Sequence, residues 1–179
     1  MTLDPNTAAP WLLLSDDLTS VSDSDIRRRL PDNPERFDPD TGVLGHQMFA
    51  TGKHTWEVEV GGNTAWVLGV TKESVSRKEK VSSVLKNGYY TMYFYHEMYF
   101  AGTSPLSRLN LKRNPQRIRV QLDCDKRQVG FYDAADDKHV YTFKNIPERV
   151  FPYFWVGCKQ FPLKIEPLEI SVKAVDYWV

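Results

Sequence analysis

The chain has 179 residues, 23 basic and 23 acidic side chains, and a formal net charge of zero. That length suits one compact domain with its own core, and the balanced charge, with a sequence pI near 6.9, argues against a nucleic-acid binder and against an acidic disordered tail. With 41% hydrophobic and 26% charged residues, it reads as an ordinary globular chain, and no run approaches the ~20 apolar residues of a membrane helix.

The N-terminus has neither the basic start nor the apolar middle of a signal peptide. Trp11–Leu14 and Val43–Thr51 are short strand candidates. Ile26–Leu30 is too short for a helix and runs into Pro31. The segment Pro31–Thr41, rich in proline and aspartate, is expected to be a long exposed loop. In His54-Thr-Trp-Glu-Val-Glu-Val60, Trp56, Val58 and Val60 face one way and Glu57 and Glu59 the other, as a half-buried strand requires. Gly61-Gly-Asn63 turns the chain, and the apolar run Ala65–Val70 reads as a strand covered on both faces. The two are expected to pair as a hairpin. Val75, Val81, Val84 and Leu85 fit a helical stripe only loosely.

Downstream, Ile118, Val120 and Leu122 alternate with Arg119, Gln121 and Asp123. Asp123–Gln128 is a polar turn, and Val129 and Phe131 resume the apolar face. Asp133–Lys138 is another turn before a strand at His139–Phe143, and Phe151–Val156 and Leu163–Ile170 close the series. Many short strands with almost no helix predict an all-β protein, a two-layer antiparallel sandwich.

Residues that carry chemistry are sparse. There is no nucleophile elbow, phosphate-binding glycine loop, H-E-x-x-H helix or dinucleotide fingerprint. His46, His54, His96 and His139 stand singly, and Asp133, Asp136 and Asp137 lack calcium-loop spacing. No catalytic residue, cofactor or metal site is therefore expected. Cys124 and Cys158 are expected to be unpaired, partly buried thiols in a reducing compartment; Lys126 and Arg127 near Cys124 would lower its pKa, but no histidine is locally placed to serve it. The default location is cytoplasmic.

Binding is the remaining possibility, and aromatic and arginine anchors carry most binding energy. Seven aromatics and two methionines occupy Tyr89–Phe100. Alternation assigns Tyr90, Met92 and Phe94 to the core, and Tyr89, Thr91, Tyr93 and Tyr95 to an outer face apolar in body and polar at the tip. The mixed-charge stretch Lys72–Lys80 would form a polar rim.

These landmarks resemble the PRY-SPRY domain of tripartite-motif (TRIM) ubiquitin ligases and butyrophilins. The matching pieces are Leu3-Asp-Pro5, Leu12–Ser15, Pro34-Glu-Arg-Phe37, Val43-Leu-Gly45, Gly52–Val60, Trp66–Val70, Glu73–Lys78, Asn87-Gly-Tyr89, Leu122–Asp125, Val129–Tyr132 and Phe151–Phe154. The chain departs from the family at Cys124, where Leu-Asp-Tyr-Glu is usual, and at Asp125, which replaces the glutamate.

The resemblance implies a bent antiparallel β-sandwich of two sheets with SPRY-type, concanavalin-like jelly-roll architecture. A PRY portion (about 1–50) and a SPRY portion (about 51–173) would share one domain, followed by a tail at 174–179. It implies a non-catalytic module whose variable loops select a target protein, here as the substrate-recognition end of a TRIM-type E3 ligase in ubiquitination or innate immune signalling. The isolated domain would be monomeric, and its parent dimeric through a coiled coil absent from this chain. Carried over by position from the antibody-receptor TRIM member, the partner-binding residues are Glu73, Tyr93, Tyr95 and Phe161, with Arg77 in the same loop as Glu73; the two strand aromatics are tryptophan there and tyrosine here. The alternative is a butyrophilin-like sensor holding a phosphorylated metabolite among Lys53, His54, Lys72, Arg77 and Lys78. Carbohydrate binding is a third reading, which no residue selects.

Overall fold

The computed structural model describes residues 1–167; the expected tail at 174–179 and the last residues of the Leu163–Ile170 strand lie outside them. Thirteen strands occur among the described residues: β1 Leu13–Leu14, β2 Ser20–Ser22, β3 Gly42–Leu44, β4 Lys53–Glu59, β5 Trp66–Lys72, β6 Tyr89–Tyr95, β7 Met98–Ala101, β8 Ser107–Leu109, β9 Arg117–Asp123, β10 Gln128–Asp133, β11 Lys138–Lys144, β12 Val150–Val156 and β13 Leu163–Ile165. The only helical element among them is one 3₁₀ turn, Leu85–Asn87. All pairings are antiparallel. One sheet runs β1-β2-β13-β4-β9-β10-β11 and the other β3-β12-β5-β6-β7-β8. The all-β sandwich expected from the strand pattern is therefore the fold.

Burial follows the period of two. In β4 only Trp56 and Val58 are buried, and their cross-strand partners in β9, Val120 and Ile118, are fully buried. The opposite face carries ions: Glu57 accepts from Arg117 at 2.8 Å and from Arg119 at 3.1 Å. In β5 six of seven residues are buried, because both of its faces are covered.

The expected hairpin between β4 and β5 does not form. β4 pairs with β9 and β13, and β5 pairs with β12 and β6 in the other sheet. The Gly61–Asn63 turn carries the chain between layers. Gly62 has φ +81°, where a side chain is strained. Asn63 is 4% exposed and locks the crossing, its Nδ2 donating to the Phe161 carbonyl at 2.9 Å and its Oδ1 accepting from Ala65 N at 3.1 Å. The short polar turns at Asp123–Gln128 and Asp133–Lys138 do close hairpins, β9–β10 and β10–β11. A two-residue turn at His96 and Glu97, both with positive φ, closes β6–β7.

Candidate functional site

The outer face of the six-stranded sheet, the one turned away from its partner layer, is covered at one end and open at the other. At the covered end the expectation for Tyr89 and Thr91 is corrected. Both are buried, 1% and 0% exposed, beneath the segment that follows β5. Ser83 fastens that segment: its carbonyl accepts from Thr91 Oγ1 at 2.6 Å, and its hydroxyl lies 2.9 Å from the Tyr153 hydroxyl. Tyr89 packs edge-on to Tyr153, ring centroids 4.9 Å apart. Alternation found the face correctly but could not show a loop lying across it.

At the open end, register aligns one rung across four strands: Trp155 of β12 opposite Val67 of β5, Val67 opposite Tyr93 of β6, and Tyr93 opposite Phe100 of β7. This rung floors a basin of about 600 Å³, walled by Val81, Ser82, Tyr95 and Leu106, with Asp40 and Lys80 as its charged residues. Tyr95 and Leu106 are exposed, at 50% and 42%. Trp155 is oriented by Asp40, whose Oδ1 accepts from the indole Nε1 at 3.0 Å and from Thr41 N at 3.0 Å. Burial pushes the Tyr93 hydroxyl up to about 12, against the opposing pull of Ser83. Tyr93 therefore presents a neutral phenol. The basin offers aromatic area with one acidic and one basic group, and nothing in its lining acts as a nucleophile with a base beside it.

Of the residues expected to bind a partner, Tyr93 and Tyr95 meet in this basin. Glu73 is exposed just past the far end of β5, six residues from Val67 and so about 20 Å along the strand. Phe161 is 47% exposed and lies against the Gly61–Asn63 turn, where a Cβ on Gly62 would come within 2.9 Å of its ring. Arg77 is engaged within the fold. Its guanidinium sits 4.9 Å over the Phe37 ring and donates to the Glu35 carbonyl at 2.6 Å, and burial lowers its pKa. The basic residues of the sensor reading do not converge: Lys78 pairs with Asp32 at 2.7 Å, while Lys53 and His54 line a different cleft.

Sequence reasoning missed Trp155, Asp40, Phe100 and Leu106. The alternation Phe151, Tyr153, Trp155 in β12 was the available signal for the tryptophan; the others join through register and loop path. One chemical expectation changes: burial, aided by Asp125 and Asp123, pushes the Cys124 thiol up rather than down. Both cysteines are free and buried, as expected. The aspartates of the β10–β11 turn are held by arginines, Asp133 and Asp136 by Arg113 and Asp137 by Arg119.

Comparison with known proteins gives consistent matches. The profile of the SPRY-associated domain, PRY, matches residues 1–49, and that of the SPRY domain matches residues 53–166. Butyrophilin subfamily 2 member A2 of Mus musculus is 42% identical over 177 residues, 97% of this chain and 34% of that protein. E3 ubiquitin-protein ligase TRIM11 of Bos taurus is 43% identical over 147 residues, 82% of this chain and 31% of that protein. The chain thus spans about a third of these curated relatives. Among solved structures, the TRIM65 PSpry domain superposes with a TM-score of 0.80 over 93% of this chain and 89% of that one, at 21% identity, a likeness of fold.

Proposed function

The chain belongs to the PRY-SPRY family, and on that premise we propose that it selects a target protein through the aromatic basin, as the substrate-recognition end of a TRIM-type E3 ubiquitin ligase. SPRY domains of the TRIM and butyrophilin type are interaction modules. The observation that carries the assignment to this face is the Trp155–Val67–Tyr93–Phe100 rung, whose three aromatics are half-buried around a buried Val67 and flanked by exposed Tyr95 and Leu106. Half-buried aromatic anchors inside a polar surround are what a protein-binding hot spot needs. The ligase context is supported by the kinship with TRIM11, and the two unpaired cysteines suit the reducing cytoplasm, where we place it.

Affinity capture with the domain as bait tests the reading. Tyr95→Ala and Leu106→Ala, both at exposed positions, are expected to leave the melting temperature nearly unchanged while cutting retention of the bound target about tenfold or more, the scale of hot-spot truncation. Phe161→Ala and Glu73→Ala, outside the basin, are expected to retain it. Loss with the second pair and retention with the first would move the site to the Gly61–Asn63 end and the β5 terminus.

A further inference from the structure

We propose that the side chain the basin takes from its target is an arginine, its guanidinium laid on the Trp155–Tyr93 floor and paired with Asp40. The inference rests on the basin reading above and adds the chemistry of what is bound.

Asp40 is the fixed charge of the basin. Its Oδ1 accepts from the Trp155 indole N–H at 3.0 Å and from Thr41 N at 3.0 Å, so the carboxylate is held in place. Its Oδ2 accepts no hydrogen bond among the described residues and is not buried, so it stays within reach of a solute. Lys80, the other charged residue of the lining, is exposed on the wall and does not pair with it. A half-buried carboxylate without a cation beside it favours a ligand that brings one. After burial, the Asp40 charge is the next influence that raises the Tyr89 phenol, and it adds to the rise of Tyr93. The same charge would hold a cation above that floor.

The floor selects which cation. Trp155, Tyr93 and Phe100 are half-buried aromatics in one rung, and ring faces attract cations. The indole is positioned at both ends: Asp40 accepts from its Nε1, and its six-membered ring packs over Gly157, where a Cβ would come within 2.7 Å of it. A flat aromatic floor beside a carboxylate oxygen suits the planar guanidinium, which is weakly hydrated and stacks on rings while it donates. A lysine ammonium is compact and more strongly hydrated, and gains less there. An acidic side chain would meet the fixed carboxylate, with only the exposed Lys80 to pair with. At about 600 Å³ the basin holds one arginine side chain together with the backbone that carries it.

The test is a titration of the ¹⁵N-labelled chain with Nα-acetyl-arginine amide, followed at the Trp155 indole N–H signal, which is assigned by its disappearance in Trp155→Phe. A saturable shift is expected, absent with the uncharged citrulline analogue, and the apparent Kd is expected to rise about tenfold in Asp40→Asn. Asparagine keeps an oxygen to accept from the indole and from Thr41 N, so this variant removes the charge and leaves the floor. Should Trp155→Phe fail to fold, calorimetry on Asp40→Asn against the parent chain reads the same loss. The inference is overturned by the absence of a saturable shift at up to about 20 mM arginine amide, by an equal response to the citrulline analogue, or by unchanged affinity in Asp40→Asn. A stronger response to the lysine or the glutamate amide would overturn the arginine assignment. Its failure is distinct from that of the basin reading. If no shift appears while Tyr95→Ala and Leu106→Ala abolish target capture, the basin stands and the arginine assignment falls. An Asp40-dependent shift with capture unchanged in those two variants upholds the arginine site and removes the capture reading.

Discussion

Arg36 shows how much one side chain contributes where no regular structure exists. It is 4% exposed and makes no ion pair among the described residues. Its Nε donates to the Pro31 carbonyl at 2.9 Å, and one terminal nitrogen donates to the carbonyls of Pro5 at 3.0 Å and Ala8 at 2.7 Å. Two stretches of chain that lack strand pairing, Pro5–Ala8 and the loop at Pro31, thus satisfy three carbonyls on a single guanidinium. Lysine keeps the charge but has one compact nitrogen, which cannot reproduce the planar fork. Arg36→Lys is therefore expected to cost about 2–4 kcal/mol of unfolding free energy in urea; a cost below about 0.5 kcal/mol would show that the fork is dispensable. Nothing in the local pattern of Pro34-Glu-Arg-Phe37 marks this arginine as buried. Composition places it on an exposed loop, and only the long-range path of the chain closes over it.

At the scale of elements, β6, β7 and β12 form the part of the sheet most exposed to alkaline loss. Burial pushes the hydroxyl of Tyr99 up to about 12, with Asp133 adding to it, and that of Tyr93 to about 12 as well, from an ordinary value of 10.0. Tyr89 and Tyr153 are raised by burial too. In the unfolded chain these phenols lose their protons near pH 10, while the folded chain still holds them. Their contribution to stability is therefore complete below about pH 10 and is lost as the pH climbs towards 12. The melting temperature is expected to fall across that window in step with tyrosinate absorbance at denaturation; a melting temperature constant to about pH 12 would refute it. These strands were legible in the sequence because the period of two survives in Tyr89–Tyr95 and Arg117–Asp123. Their partners were less so. Alternation reports which face a residue takes and is silent on the neighbour, so His54–Val60 and Ala65–Val70, adjacent in sequence and joined by a glycine turn, read as a hairpin although the strands they form, β4 and β5, lie in different sheets. The basin suffers the same blindness: Tyr93 and Tyr95 are local facts, whereas Trp155, Phe100 and Asp40 reach them only through register.

For the whole molecule, the decisive question is whether the segment matched by PRY is an appendage or part of the core. β1 and β2 join the seven-stranded sheet next to β13, and β3 forms the edge of the six-stranded sheet on β12, so residues 1–49 contribute to both layers. Leu3, Leu12, Val21, Phe37, Val43, Leu44 and Phe49 are each at most 7% exposed and belong to the same cluster as Trp56, Leu68 and Phe154. Burying seven such side chains is worth roughly 10–20 kcal/mol, as much as the whole net stability of a typical domain, about 5–15 kcal/mol. Removing them also bares Tyr153, whose ring packs 5.9 Å from Phe37, and leaves the β12 and β13 edges without their outer partners. A fragment lacking residues 1–49 is therefore expected to show no cooperative thermal transition and collapsed amide dispersion, and adding the 1–49 peptide in trans should restore both. A cooperative transition in the fragment alone would mean that the two segments fold as separate units, and the contacts between them would then be docking rather than core.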